Sequence, residues 1–218
     1  MKGAKIMSFT TDLSSKVSEY TNFSMYGKSL QIPYQLGGKK TPKEISNVLA
    51  ASFSTGASQA DMQARLNKTD NAGKKDLGVD CSGFAYYVLN EASGGAVKNL
   101  FNVSYANGVS AANLTSTKYG YKLSRAMDIT AGCLMNSDNG GHVLVIYSVT
   151  KGSDGLVNRI DYAHSNGSKG PHKGYITVGD PGADLTSSKQ TWHDSAYTDA
   201  QAKKYYNYTM RLSCLPSA

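Results

Sequence analysis

A cysteine at the start of a predicted amphipathic helix is the feature that most constrains this chain. After Asp80, apolar residues recur at positions i, i+3, i+4, i+7 and i+8, namely Cys81, Phe84, Ala85, Val88 and Leu89. Gly78 and Asp80 are typical of a loop that ends in an N-cap. A thiol in the first helical turn lies near unpaired backbone N–H groups and the positive end of the helix dipole, so we expect its pKa to be lowered. A cysteine that only packs beneath a helix is the alternative.

A predicted β-hairpin supplies two histidines. Residues 142–149 are almost continuously β-branched and aromatic, which indicates a buried strand; 151–155 indicate a turn, and 156–163 the returning strand. If the turn centres on Ser153, paired residue numbers add to 306, and His142 lies opposite His164 with Cβ atoms roughly 4.5–5.5 Å apart. A one-residue change in register would spoil this alignment. A nucleophile and two imidazoles are the parts of a Cys–His–X triad.

Four motifs occur in one order along the chain. They are IPYQLGG at 32–38, DCSGF at 80–84, GHVLVIY at 141–147 and YAHS at 162–165, and AGCL at 131–134 precedes the third as a strand start. In this combination the chain resembles the NlpC/P60 cysteine peptidases of bacterial cell walls, over roughly residues 20–168 with gaps. The resemblance implies an α+β, papain-like fold with a central antiparallel sheet and the catalytic cysteine at the N-terminus of a packed helix.

The resemblance also implies roles for individual residues. It assigns the nucleophile, the base and the orienting third residue to Cys81, His142 and His164. Tyr34 is expected to line the site and to help the Cys81 backbone N–H stabilise an oxyanion. Asp80 and Ser82 are expected to contact the substrate's free amine or the neighbouring backbone.

Two features depart from the family pattern. About forty residues separate Gly38 from Asp80, more than members usually carry, and capping signals at Thr41–Glu44 and Ser58–Asp61 predict two helices there. We therefore expect one domain over residues 1–218 with a helical insertion at about 39–77, which serves either as a substrate wall or lid or as extra packing. Cys133 stands where members more often have aspartate, and we expect it in the core.

The remaining cysteines and histidines indicate no further site. Three cysteines give no disulfide framework, and Cys133 could pair with Cys214 only if the fold brought them together. No metal-ligand spacing is visible, so no metal and no other cofactor is expected. His193 is expected in a surface loop, whereas His172, in a loop just after the hairpin, could touch substrate.

The charge distribution and the hydropathy limit the partners. The net charge of +7 is spread along the chain without a basic block, which argues against nucleic-acid binding. No stretch approaches the roughly 18–20 apolar residues of a membrane span, and no secretory signal follows Met1, so we expect no membrane insertion. A wall hydrolase made in the cytoplasm needs delivery. We expect either a type VI secretion effector that acts in the periplasm of target bacteria, with a carrier and an immunity protein as partners, or a phage lysin released through a holin.

The expected function is a monomeric cysteine endopeptidase acting on peptidoglycan stem peptides. The resemblance suggests cleavage between D-γ-glutamate and a diamino acid through a thioester acyl-enzyme. Three alternatives stay open at this point. A CHAP-like N-acetylmuramoyl-L-alanine amidase would use Asn166 as its third residue; the domain could be a non-catalytic wall-binding module; or it could transfer an acyl group to acceptors other than water.

Overall fold

The chain folds into a mixed α+β structure, which confirms the predicted class. The computed structural model describes residues 2–136, 140–187, 189–206 and 208–216. The helices are α1 (Lys2–Thr21), α2 (Pro42–Ser52), α3 (Gln59–Asn67), α4 (Cys81–Ala92), α5 (Ala96–Phe101), α6 (Ala111–Leu114) and α7 (Asp199–Tyr206). The strands are β1 (Ser24–Met25), β2 (Lys28–Ser29), β3 (Gly120–Lys122), β4 (Leu134–Asn136), β5 (Val143–Lys151), β6 (Val157–Asn166), β7 (Gly170–Val178), β8 (Trp192–Asp194) and β9 (Thr209–Leu212).

Local capping residues start the helices where the sequence predicts them. Thr41 accepts the Glu44 backbone N–H while the Glu44 carboxylate accepts the Thr41 N–H, a reciprocal pair that begins α2. Ser58 caps α3 through the Asp61 N–H. Asp80 caps α4, so Cys81 is the first helical residue.

The central sheet is antiparallel throughout its described strands. Seven of these strands lie in the order β3-β9-β4-β5-β6-β7-β8. The last strand, β9, lies between β3 and β4 and pairs Leu212 with Gly120 and Met210 with Leu134.

Apolar residues cover both faces of the sheet. Val143 and Val145 point into a core shared with α1 to α4, and Leu144 and Ile146 point into a second core that contains Tyr206 of α7. This alternation explains why the β5 sequence is apolar at consecutive positions instead of every second one. Among the described residues, no helix has the length and apolar character needed to cross a membrane.

The 39–77 segment is integrated into the main core. Its two helices bury four fully enclosed side chains that belong to the same cluster as α1 and α4, namely Ile45, Leu49, Met62 and Leu66. These two helices therefore contribute packing. The two ends of the segment lie beside a surface cleft that is described below.

The predicted hairpin register is wrong by one position on each strand. Val145 pairs with Ala163 and Ile146 with Tyr162, so paired numbers add to 308 and not to 306. The turn is closed by the Gly152 N–H and the Leu156 carbonyl, which moves its centre to residue 154. A further irregularity follows Ile146. His142 therefore precedes β5 and is not the direct cross-strand partner of His164.

Candidate active site

The Cys81 thiol lies at the N-terminus of α4, buried with 6% of its surface exposed. The backbone N–H groups of Val143 and Ser82 donate to its sulfur. Val143 is the first residue of β5, so this contact brings the start of the strand, and the adjacent His142, to the helix that carries the thiol.

The pKa of Cys81 is raised, contrary to the sequence-based expectation. Burial is the largest cause, and the neighbouring Asp80 carboxylate adds to it, while the two backbone N–H groups and the Lys39 ammonium act in the opposite direction. Desolvation of the thiolate thus outweighs the helix terminus. Near neutral pH the resting side chain is a thiol, and forming the nucleophile requires a base.

His142 and His164 form a hydrogen-bonded pair of imidazoles. The His142 Nε2 and His164 Nδ1 atoms are 2.6 Å apart, and the ring planes are inclined at 74°. Because paired residue numbers add to 308, the residue opposite His164 is Leu144. His142 lies two residues before Leu144 on the same face of the sheet, which makes it a diagonal neighbour of His164. The side chains meet although the predicted direct pairing does not occur.

All three histidines near the site favour the neutral form. Burial lowers the pKa of His142 to about 4, with a smaller contribution from positive charge on His172 and an opposing one from Asp80. Burial also lowers the pKa of His164 well below its usual range, and that of His172 in the same direction. The pair is therefore uncharged at neutral pH and can accept a proton.

The hydrogen bond between the rings defines which nitrogen of His142 can act as a base. When His142 Nε2–H donates to His164 Nδ1, the His142 Nδ1 lone pair is free to take a proton, and His164 carries its own hydrogen on Nε2. His164 is fully buried, and its Nε2 has no hydrogen-bond partner among the described groups. On the other side of His164 lies His172, with ring centroids 4.2 Å apart; its Nδ1–H donates to the Gly170 carbonyl at 2.8 Å.

One buried hydrogen bond ties β6 to the loop before α4. The Ser165 hydroxyl donates to the Val79 carbonyl at 2.7 Å, and Ser165 is fully buried. Because Ser165 follows His164 and Val79 lies two residues before Cys81, this bond fixes the strand of the second imidazole relative to the helix of the thiol.

The IPYQLGG segment packs directly against that same loop. Val79 donates its N–H to the Pro33 carbonyl at 3.1 Å, and Asp80 donates to the Gly38 carbonyl at 2.9 Å. A Cβ on Gly78 would lie 2.3 Å from the Gln35 Cβ, and one on Gly38 would lie 2.4 Å from the Gly78 carbonyl oxygen. Glycine is required at both positions because the two backbones touch.

Two tyrosines lie within electrostatic reach of the Cys81 sulfur. The pKa of the half-buried Tyr34 is raised by burial and then by negative charge on Cys81 and Asp80. The pKa of Tyr205 is likewise raised by burial and then by Cys81, and its ring centroid is 6.0 Å from that of His142. Both rings are therefore close enough to Cys81 for charge on the sulfur to affect them. The sequence gives no signal for Tyr205, because it belongs to α7, far along the chain and outside any motif.

Asn166 does not orient the base. Its side-chain oxygen accepts the backbone N–H groups of Ser168 and Lys169, which closes the turn between β6 and β7. Its side chain also bonds with Tyr197. The His142 Nε2 bonds to His164 instead. The described contacts therefore do not support a triad with Asn166 as its third residue.

Asp80 and Ser82 lie beside Cys81 but are already bonded within the chain. The Lys39 ammonium is 2.8 Å from Asp80 Oδ1 and 2.5 Å from the Ser82 hydroxyl. These residues line a cleft of about 450 Å³ that includes Cys81. A second cleft of about 540 Å³ adjoins it and shares Leu36, Gly37, Lys39 and Asn107.

The described part of the chain contains neither a disulfide nor a metal-binding cluster. Cys81, Cys133 and Cys214 are all free thiols, and Cys133 is fully buried in the second core. In the part of the chain that the structure describes, no group of three histidine, cysteine or acidic side chains is arranged to hold a metal ion.

Comparisons with protein-family models, with curated proteins and with solved structures found no match for this chain. Its function is therefore proposed from its own residues, their geometry and the resemblance of its motifs.

Proposed function

We propose that this protein is a cysteine peptidase with a papain-like core that hydrolyses peptidoglycan stem peptides. The observation that carries the proposal is the neutral His142–His164 pair, hydrogen-bonded at 2.6 Å, adjoining the Val143 N–H that contacts the Cys81 sulfur. A thiol at a helix N-terminus, a base and an orienting group together form the arrangement needed for nucleophilic catalysis.

The proposed reaction begins with proton transfer from the thiol. His142 Nδ1 takes the Cys81 proton as the sulfur attacks the peptide carbonyl, and the resulting imidazolium keeps its Nε2–H bond to the neutral His164. The Cys81 backbone N–H, with Tyr34 nearby, stabilises the negative oxygen of the tetrahedral intermediate. His142 then returns the proton to the leaving amine, a thioester forms, and water hydrolyses it with His142 again as base.

The substrate assignment rests on the resemblance of the four motifs to NlpC/P60 peptidases. The proposed bond lies between D-γ-glutamate and a diamino acid. Delivery by a type VI machine with a carrier and an immunity protein, or release as a phage lysin, is part of the same proposal.

Mass spectrometry of muropeptides tests the reaction and its bond. Purified sacculi are digested in parallel with the wild-type protein and with Cys81→Ala. Loss of tetrapeptides and their cross-linked dimers, with gain of dipeptide stems, is expected only with the wild type. Release of whole stem peptides from the glycan would instead indicate an amidase. Untouched muropeptides in both digests would contradict the proposal and favour a binding module or another acyl substrate.

Two histidine variants test the roles within the pair. His142→Ala is expected to reduce kcat nearly as far as Cys81→Ala, because it removes the base that takes the thiol proton. His164→Ala is expected to be milder, since it removes only the orientation of the base. Circular dichroism of each variant separates loss of chemistry from loss of fold.

A further inference from the structure

A buried ion pair lies directly beside the proposed nucleophile. The Asp80 side chain is 8% exposed and that of Lys39 is 12% exposed. Asp80 immediately precedes Cys81, and both members of the pair line the cleft that contains the thiol.

The Asp80 carboxylate is saturated by groups of its own chain. Oδ1 accepts the Gly83 N–H at 2.6 Å, the Ser82 hydroxyl at 3.0 Å and the Lys39 ammonium at 2.8 Å. Oδ2 accepts the Gly37 N–H at 3.0 Å and the same ammonium at 3.1 Å. A carboxylate with this many donors has little capacity left for another cation.

The Lys39 ammonium is equally committed. Besides Asp80, it donates to the Ser82 hydroxyl at 2.5 Å and to the Val109 carbonyl at 3.5 Å. An ammonium has three donors, and these acceptors use them. An incoming substrate amine would meet a positive charge at the place where an unpaired carboxylate would have attracted it.

We propose that Lys39 determines specificity by acting as an internal cation. It occupies the carboxylate that would otherwise bind a free amino group, so the enzyme acts on stem peptides whose first amine is acylated, as it is when the stem is attached to the glycan. This inference rests on the proposed function. It replaces the expectation that Asp80 and Ser82 bind the substrate's free amine.

The two clefts around the pair have room for a bulky acyl group. Beyond Lys39 the cleft is lined by small residues that include Gly108, Ser110, Ala111 and Gly140. The adjoining cleft continues from Lys39 past the exposed side chains of Leu36 and Tyr105. Together the two clefts leave a path for a chain that extends past the first residue of the stem, which a free N-terminus would not need.

Two synthetic peptides that differ only at the N-terminus test the inference. Both are alanyl-γ-D-glutamyl-diaminopimelate, one with a free amine and one N-acetylated. The wild type is expected to cleave the acetylated peptide with a kcat/KM at least tenfold higher. In Lys39→Met, which frees the Asp80 carboxylate, the ratio is expected to shift at least tenfold towards the free amine. Lys39→Arg, which keeps the cation, should retain the wild-type preference.

A lysine outside the cleft provides the matched control. Lys68→Met removes an exposed lysine at the end of α3, away from the cleft, and is expected to leave the ratio unchanged. A wild-type preference for the free-amine peptide would overturn the inference, even if Lys39→Met did not fold. Wild-type protein that cleaves neither peptide nor sacculi would contradict the proposed function itself, and the inference would fall with it.

Discussion

Acidification is expected to destabilise the folded protein through His142. Its pKa falls from the ordinary value of 6.5 to about 4 on folding, chiefly because burial disfavours the imidazolium. Between these values the unfolded chain binds the proton and the folded protein does not. The stability is therefore fully present above pH 6.5 and is lost as the pH falls towards 4. The linkage relation gives a loss of about 2–3 kcal/mol by pH 4.5, and slightly more at lower pH.

Urea unfolding at several pH values measures this loss. The chain has a single tryptophan, Trp192, which is 1% exposed, so its fluorescence reports unfolding of the core. Free energies of unfolding are obtained from pH 7.5 to pH 4.5 for the wild type and for His142→Gln, whose amide can still donate to His164. The wild type is expected to lose stability more steeply than the variant, by about 2–3 kcal/mol over this range.

The other histidines also contribute to the loss of stability at low pH, and a surface histidine serves as the control. The pKa values of His164 and His172 are lowered as well, so the variant is expected to keep part of the slope. His193→Gln, at an exposed position, shows how much the loss of a histidine from the surface changes the curve. Equal slopes of unfolding free energy against pH for the wild type and His142→Gln would refute the argument that burial of His142 causes the pH dependence.

Three further substitutions test the packing around the site. Ser165→Ala removes the donor to the Val79 carbonyl and is expected to cost about 1–3 kcal/mol in urea unfolding; an unchanged free energy would mean that this bond does not tie β6 to the helix loop. Gly78→Ala is expected to lower both Tm and activity, because its Cβ meets Gln35, whereas Gly56→Ala, in open space, should not; equal Tm values would contradict the close approach. Leu49→Ala should destabilise by about 2–5 kcal/mol, and a much smaller loss would show that the 39–77 helices are peripheral.

The helices of the site could be predicted because their signals are local. Asp80 caps α4 and Thr41 forms the capping box of α2, and both residues act on backbone groups within one turn. The α+β fold class was implied by the resemblance of the motifs to NlpC/P60 peptidases. The interface between IPYQLGG and the DCSGF loop has no local signal in the sequence, and its physical basis is the contact of Gly38 with Gly78.

The hairpin register and the distant members of the site could not be predicted. The register depends on how the turn closes, and the bond between Gly152 and Leu156 placed its centre one residue later than the sequence suggested. Tyr205 and Lys39 reach Cys81 only through tertiary packing. The lowered thiol pKa was wrong because a helix N-terminus is visible in the sequence, whereas the burial that opposes it is not.

The position of β9 has a consequence for the order of assembly during synthesis. Thr209–Leu212 leaves the ribosome after every other described strand, yet it lies between β3 and β4, which precede it by more than seventy residues. Until β9 emerges, β3 and β4 lack the strand that pairs with both of them. Tyr205, shortly before β9 in the chain, also reaches the vicinity of the thiol only late. A nascent chain thus holds Cys81 in an unfinished site, so the proposed peptidase activity is expected only once translation has passed the last described strand.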